Sequence, residues 1–202
     1  PGLAVVAVVV VAVFVIGWFG RLPIASHASM TQTGILPIWN DYIVHGVSIA
    51  SFGGRFADGT DLEVTGEARV FYHYAPFMIP AALQRLSGLD GIAASAALLL
   101  PLGLLAGVLG FYALAVELAG RAGGFLSTAI AFCVPAYLFP VQSGWFDFHW
   151  LLFIAQGSGL GLGVCALVCI ALLTWLRSGD TRALVLTWGL LSGLATGGVS
   201  MV

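Results

Sequence analysis

"GIAASAALLLPLGLLAGVLGFYALAV", residues 91–116, holds no charged side chain along its whole length. About 20 predominantly apolar residues carry an α-helix across the hydrocarbon core of a bilayer, so this stretch reads as a transmembrane helix. Residues 3–19, 124–140, 149–176 and 183–202 read the same way, the last cut short at Val202. The expected fold is an all-α polytopic membrane protein with about five transmembrane helices. Composition points the same way. The 202 residues are 60% hydrophobic and 8% charged, with a mean hydropathy of +1.04, whereas a soluble domain carries about 25% charged residues.

The formal net charge of −2 and the lack of any basic cluster exclude a nucleic-acid partner. Cys133, Cys165 and Cys169 fall inside apolar runs without CxxC spacing, so they are expected to be small buried hydrophobes. "QGSGLGLG" (156–163) lacks the dinucleotide-binding fingerprint and follows no strand. Its glycines, like Gly103/Gly107 and the run Gly189/Gly193/Gly197, recur every four residues. In membranes, such small-residue stripes let helices approach closely. The Val-rich run 3–19 reads as a retained membrane helix rather than a cleaved signal. A chain that opens without Met and stops inside an apolar run suggests a piece of a longer protein.

Between the first two spans lie residues 20–90, which carry two further helical patterns. Residues about 38–50 place Ile38, Tyr42, Ile43 and Ile49 as the apolar side of an amphipathic interfacial helix. "HYAPFMIPAALQRLSG" (73–88) is too short to span and holds two prolines, so it is expected to lie at the interface or dip partway in. Residues 52–70 form a Gly- and Asp-rich loop. Arg121, and Arg177 with Arg182, fall in short loops on one side, while the short loop 141–148 has no basic residue. The positive-inside rule then puts the N-terminus in the cytoplasm and residues 20–90 and 141–148 outside, for a multi-pass protein of the cell (inner) membrane. All four histidines and seven of the nine acidic residues fall on that outer side.

The candidate chemistry is concentrated there. In "WNDYIVHG" (39–46), Asp41 and His45 stand at i and i+4, on one face of a helix. His73 opens the short 73–88 segment, and Asp147 and His149 lie among aromatic residues at the mouth of two spans. An Asp at a membrane boundary has a partner or a task. Carboxylates and imidazoles brought together by three outer segments suit general-base or divalent-metal chemistry on an acceptor hydroxyl, or ligation of a metal or haem. The spacings match no specific metal motif.

The order of segments resembles a known family. A first membrane helix is followed by Arg21 and then by "WNDYIVHGVSIASFG". A Pro-containing helix ending in Gly follows, then a span ending in "ELAGRAGG", a span with "VPAYLFP", the outer Asp147, and "RALVLTWGLLSGLATGG". This is similar to the N-terminal half of GT-C-type membrane glycosyltransferases, which use polyprenyl-phosphate-linked sugars, and to uncharacterised bacterial membrane proteins of that architecture. The resemblance implies a GT-C-like fold, a lipid-linked sugar donor, an acceptor at the outer face, and Asp41 as catalytic base or substrate positioner. Asn40-Asp41 stands where the family often has an Asp-Glu pair, and Asp147 where it often has an outer-loop Asp. His45, His73, Asp147 and His149 would bind substrate, with a divalent metal as the candidate cofactor. A non-catalytic subunit bound to partner subunits in a larger membrane complex, and a transporter, are the alternative readings. The transporter is the weaker, because the acidic residues cluster outside the midplane.

Overall fold

The computed structural model describes residues 2–35, 37, 40–53, 75–134, 149, 152 and 156–197. Among them all regular structure is helical: α1 (Gly2–Thr33), α2 (Asn40–Gly53), α3 (Ala75–Ser87), α4 (Gly91–Ala94), a π turn (Ser95–Leu99), α5 (Leu100–Cys133), α6 (Ser158–Ser178) and α7 (Thr181–Gly197). Three helical stretches, Val5–Thr33, Gly91–Cys133 and Ser158–Ser178, are long and apolar enough to cross a membrane, consistent with a membrane protein. Their outward faces are greasy, with Val13, Leu126 and Leu176 each more than half exposed. A water-soluble monomer rarely shows so large an apolar surface.

The stretch Gly91–Cys133 is not one straight rod. A helix of its 43 residues would be about twice as long as the hydrocarbon core is thick. It folds back at Gly120, whose φ of 69° and ψ of 178° break the helix. A side chain is strained at that φ, which favours glycine there. Beyond the break, Gly124 returns against Val116, and Phe132 meets Phe111 edge-on with ring centroids 5.8 Å apart. The result is a hairpin with limbs at 91–119 and 121–133.

Glycines set the spacing between the first limb and α6. A Cβ on Gly110 would lie 2.7 Å from Gly163 Cα, and Gly159 abuts the Gly103 backbone just as closely. Gly103 faces Gln156, Gly110 faces Gly163, and Arg177 pairs with Glu117 at 3.0 Å. The register advances the same way on both helices, so they run parallel. Two of the expected small-residue stripes are thus helix contacts, whereas Gly189 of the third has nothing opposite it. Helix α1 packs antiparallel on the first limb through Val8, Val11, Val15 and Phe19, against Leu100, Leu104 and Val108. Helix α7 returns along α6 after a left-handed turn at Gly179.

Helix α1 also continues past residue 19 to Thr33, through Pro23. Pro23 lacks an N–H and frees one carbonyl of the preceding turn, yet the polar tail stays helical. There Thr31 and Thr33 donate their hydroxyls back to the Ala28 and Ser29 carbonyls, and Gly34 closes the helix in the left-handed region. The cysteines differ among themselves: Cys133 is half-buried against the core cluster, Cys165 is half-buried, and Cys169 is exposed on the outward apolar surface.

Candidate functional site

Helix α2 lies across the end of the bundle where the first limb and α6 begin. Its inward face follows the 3.6-residue period: Tyr42, Gly46 and Ile49 are buried, while Ile43 on the other side is exposed. Gly46 allows that approach. A Cβ there would lie 2.9 Å from the Ile92 backbone. Below it, Asp90 caps α4 by accepting the Ala93 N–H at 2.8 Å.

A π turn follows directly. Pro101 has no N–H to give the Ala97 carbonyl, and the Leu100 N–H bonds five residues back to Ser95. Such bulges are frequent at functional sites because they re-aim a side chain. Here Ser95, fully buried, donates its hydroxyl to Gln156 Oε1 at 3.4 Å. His45 Nδ1 hydrogen-bonds the same oxygen. With the carboxamide oxygen as acceptor, Nδ1 carries the proton of this bond. The imidazole packs on Phe77 of α3, with centroids 5.0 Å apart. The Tyr42 phenol reaches the same carboxamide, and burial pushes its pKa up, so it stays a neutral hydroxyl.

Gln156 is 1% exposed and joins three helical segments through one amide. Its Nε2 has no hydrogen-bond partner among the described residues.

The expected site residues divide as follows. Asp41, in the first turn of α2, is partly exposed and makes no hydrogen bond or ion pair among the described residues. His45 lies one turn on and points to Gln156; no hydrogen bond or ion pair joins it to Asp41 among those residues. His149 stacks on Phe19 of α1 at 6.1 Å, and Phe19 shares a core cluster with Tyr42. His73 and Asp147 lie outside the described residues. Among the described residues no three His, Cys, Asp or Glu converge as metal ligands.

Ser95 and Gln156 are not among the residues the sequence marks as a site, and Tyr42 enters there only as part of an apolar helix face. Gln156 had a signal: a lone carboxamide in an apolar span is expensive unless it has a partner or a function. Ser95 had none, because only the π turn aims it inward. No family model matches this chain, and neither does any curated protein or solved structure.

Proposed function

We propose that the chain is the N-terminal part of a GT-C-type glycosyltransferase. It would have about five spans and a cytoplasmic N-terminus, and transfer sugar from a polyprenyl-phosphate carrier to an acceptor at the outer face of the cell membrane. One observation carries this reading. The helix that bears Asp41 packs on the end of the bundle where α4 and α6 start, while Glu117, Arg121 and Arg177 mark the other end. The limb between them, 91–119, is about 42 Å long, close to the thickness of a bilayer with its headgroup regions, about 40–45 Å. The arginines of the short loops then fall on the cytoplasmic side, and Asp41 comes to the opposite interface.

There the carboxylate takes the proton of an acceptor hydroxyl as that oxygen attacks the anomeric carbon. The carbon–oxygen bond to phosphate breaks, and the polyprenyl phosphate leaves with the bonding pair, inverting the centre. Partial exposure and the lack of an ion-pair partner among the described residues leave Asp41 open to a hydroxyl. His45, held by Gln156 and Phe77, supports the helix that carries it. His73, Asp147 and His149 would contact the phosphate, a divalent metal or the acceptor. The test is to reconstitute the full-length protein in proteoliposomes with decaprenyl-phosphate-linked sugars and follow release of decaprenyl phosphate. Release by the wild type and its loss in Asp41→Asn supports the reading. If the wild type consumes no such donor, a non-catalytic subunit is the better account.

A further inference from the structure

Helices α2 and α3 meet the rest of the bundle at glycines. Gly46 of α2 crosses Gly91 backbone to backbone, and a Cβ on Gly46 would lie 2.9 Å from Ile92 Cα. Pro76 of α3 covers Gly157 at the head of α6, its ring 3.1 Å from where a Cβ on that glycine would stand. Such contacts bring helices close, but a glycine has no knob to seat in a facing hole. Beside them, Ile49, Phe77, Ala81, Ala94 and Leu99 form an apolar patch shared by α2, α3 and the first limb. Apolar burial is non-directional. Close contact and burial therefore hold α2 on the bundle but define its register only loosely.

Direction comes from Gln156. Its carboxamide is buried at the head of α6, and its one oxygen accepts from His45 of α2 and, at 3.4 Å, from Ser95 of the π turn. A carbonyl oxygen has two lone pairs. Here one serves α2 and the other the first limb, so a single atom ties together the two elements whose register is in question. In a low-dielectric interior a donor pulled from such an acceptor goes unmet, which makes each slid position costly. Fixing register is the best-attested use of a lone buried polar group. His45 stands one turn after Asp41, so the tie that holds His45 also sets where Asp41 stands. We infer that Gln156 is a positioning residue: its carboxamide oxygen fixes the register of α2 on the bundle, and with it the place of Asp41. The first half of this holds whatever the protein does; that Asp41 is the group to be placed rests on the transferase reading.

Spin-label distance measurements on the full chain in liposomes test it, with Cys133, Cys165 and Cys169 replaced. Labels on Ile43→Cys and Leu118→Cys, both exposed, read the position of α2 against the Glu117 end of the first limb. Labels on Val13→Cys and Leu176→Cys, also exposed, read the bundle itself. Without further substitution each pair should give one narrow distance. Gln156→Met keeps the length of the side chain and removes the acceptor. It should shift or broaden the α2 distance by about 5 Å, one helical turn, and leave the bundle distance alone. His45→Phe keeps a ring on Phe77 and removes the donor, so it should do the same, and the double variant should do no more. Ser95→Ala, which removes only the longer bond, should give an intermediate width. An α2 distance unchanged in Gln156→Met, changed there but not in His45→Phe, or changed together with the bundle distance would each overturn the assignment. In the transfer assay, Gln156→Met should lower kcat by at least about 10²-fold, the cost of misplacing a reacting group by about 1 Å, with little change in KM. An unchanged kcat beside a shifted distance would remove Asp41 as the group being placed. A wild type without transfer activity removes the transferase reading and leaves the distances to decide the register.

Discussion

His45 on α2 and Gln156 at the head of α6 hydrogen-bond across 111 residues of chain, Nδ1 to Oε1, and Ser95 donates to the same oxygen from the π turn. Gln156→Leu keeps the volume and removes the acceptor. It leaves a half-buried imidazole N–H without this acceptor, and the expected loss of stability is about 1–3 kcal/mol. Ser95→Ala removes a longer hydrogen bond and should cost no more than about 1 kcal/mol. Denaturant or thermal unfolding in detergent reads both; equal losses would mean that Gln156 contributes only packing.

Tyr42 bears on alkaline stability. Its folded pKa is raised by burial above the ordinary tyrosine value near 10. The folded state therefore resists ionisation more than the unfolded state does. The stabilising contribution is fully present below pH about 10 and is lost as pH rises beyond it. Unfolding curves from pH 8 to 11 should show stability falling at the alkaline end, and Tyr42→Phe should flatten that fall. An unchanged slope in the variant would assign the effect to other groups.

The glycines make opposite predictions by position. Gly110→Val drives methyl groups into the Gly163 backbone and should cost about 1–3 kcal/mol or more, as overpacking does. Gly17→Ala enters open space and should be neutral or stabilise the helix by up to about 1 kcal/mol. Melting temperatures of the two variants side by side decide it.

Sidedness is testable by cysteine labelling in a background lacking Cys133, Cys165 and Cys169. Ser87 at the end of α3 and Ser178 at the end of α6 are both exposed. Ser87→Cys should react with an impermeant maleimide added outside, and Ser178→Cys only after permeabilisation. Labelling of both from one side would contradict the bilayer placement.

Asp41→Asn keeps size and hydrogen bonding but removes the base. Sugar transfer should fall by about 10²–10⁴-fold while the protein inserts and purifies normally. His45→Ala should cost less transfer and more stability, since His45 bonds Gln156 and packs on Phe77. Full activity in Asp41→Asn would remove Asp41 as the base.

Reading the residues in order was enough to find the class and the spacing rules. A 26-residue run without charge is long and apolar enough to cross a membrane as a helix that satisfies its own backbone. Glycines every fourth residue fall on one helix face wherever the helix goes, so Gly103, Gly107, Gly159 and Gly163 were legible as a close-packing stripe. Asp41 and His45 stood out as rare polar residues in a greasy chain. Periodicity, however, says which residues share a face and not what that face meets. That His45 points to Gln156 and not to Asp41 depends on α2 crossing the bundle end, where Gly46 lets it touch Ile92. That Ser95 joins them depends on the π turn before Pro101. That Gly17 and Gly20 line an open groove, while glycines of identical chemistry elsewhere close a helix pair, depends on the distance to the neighbouring backbone. Distances of that kind are set by packing between segments far apart in the chain, so only the tertiary structure decides them.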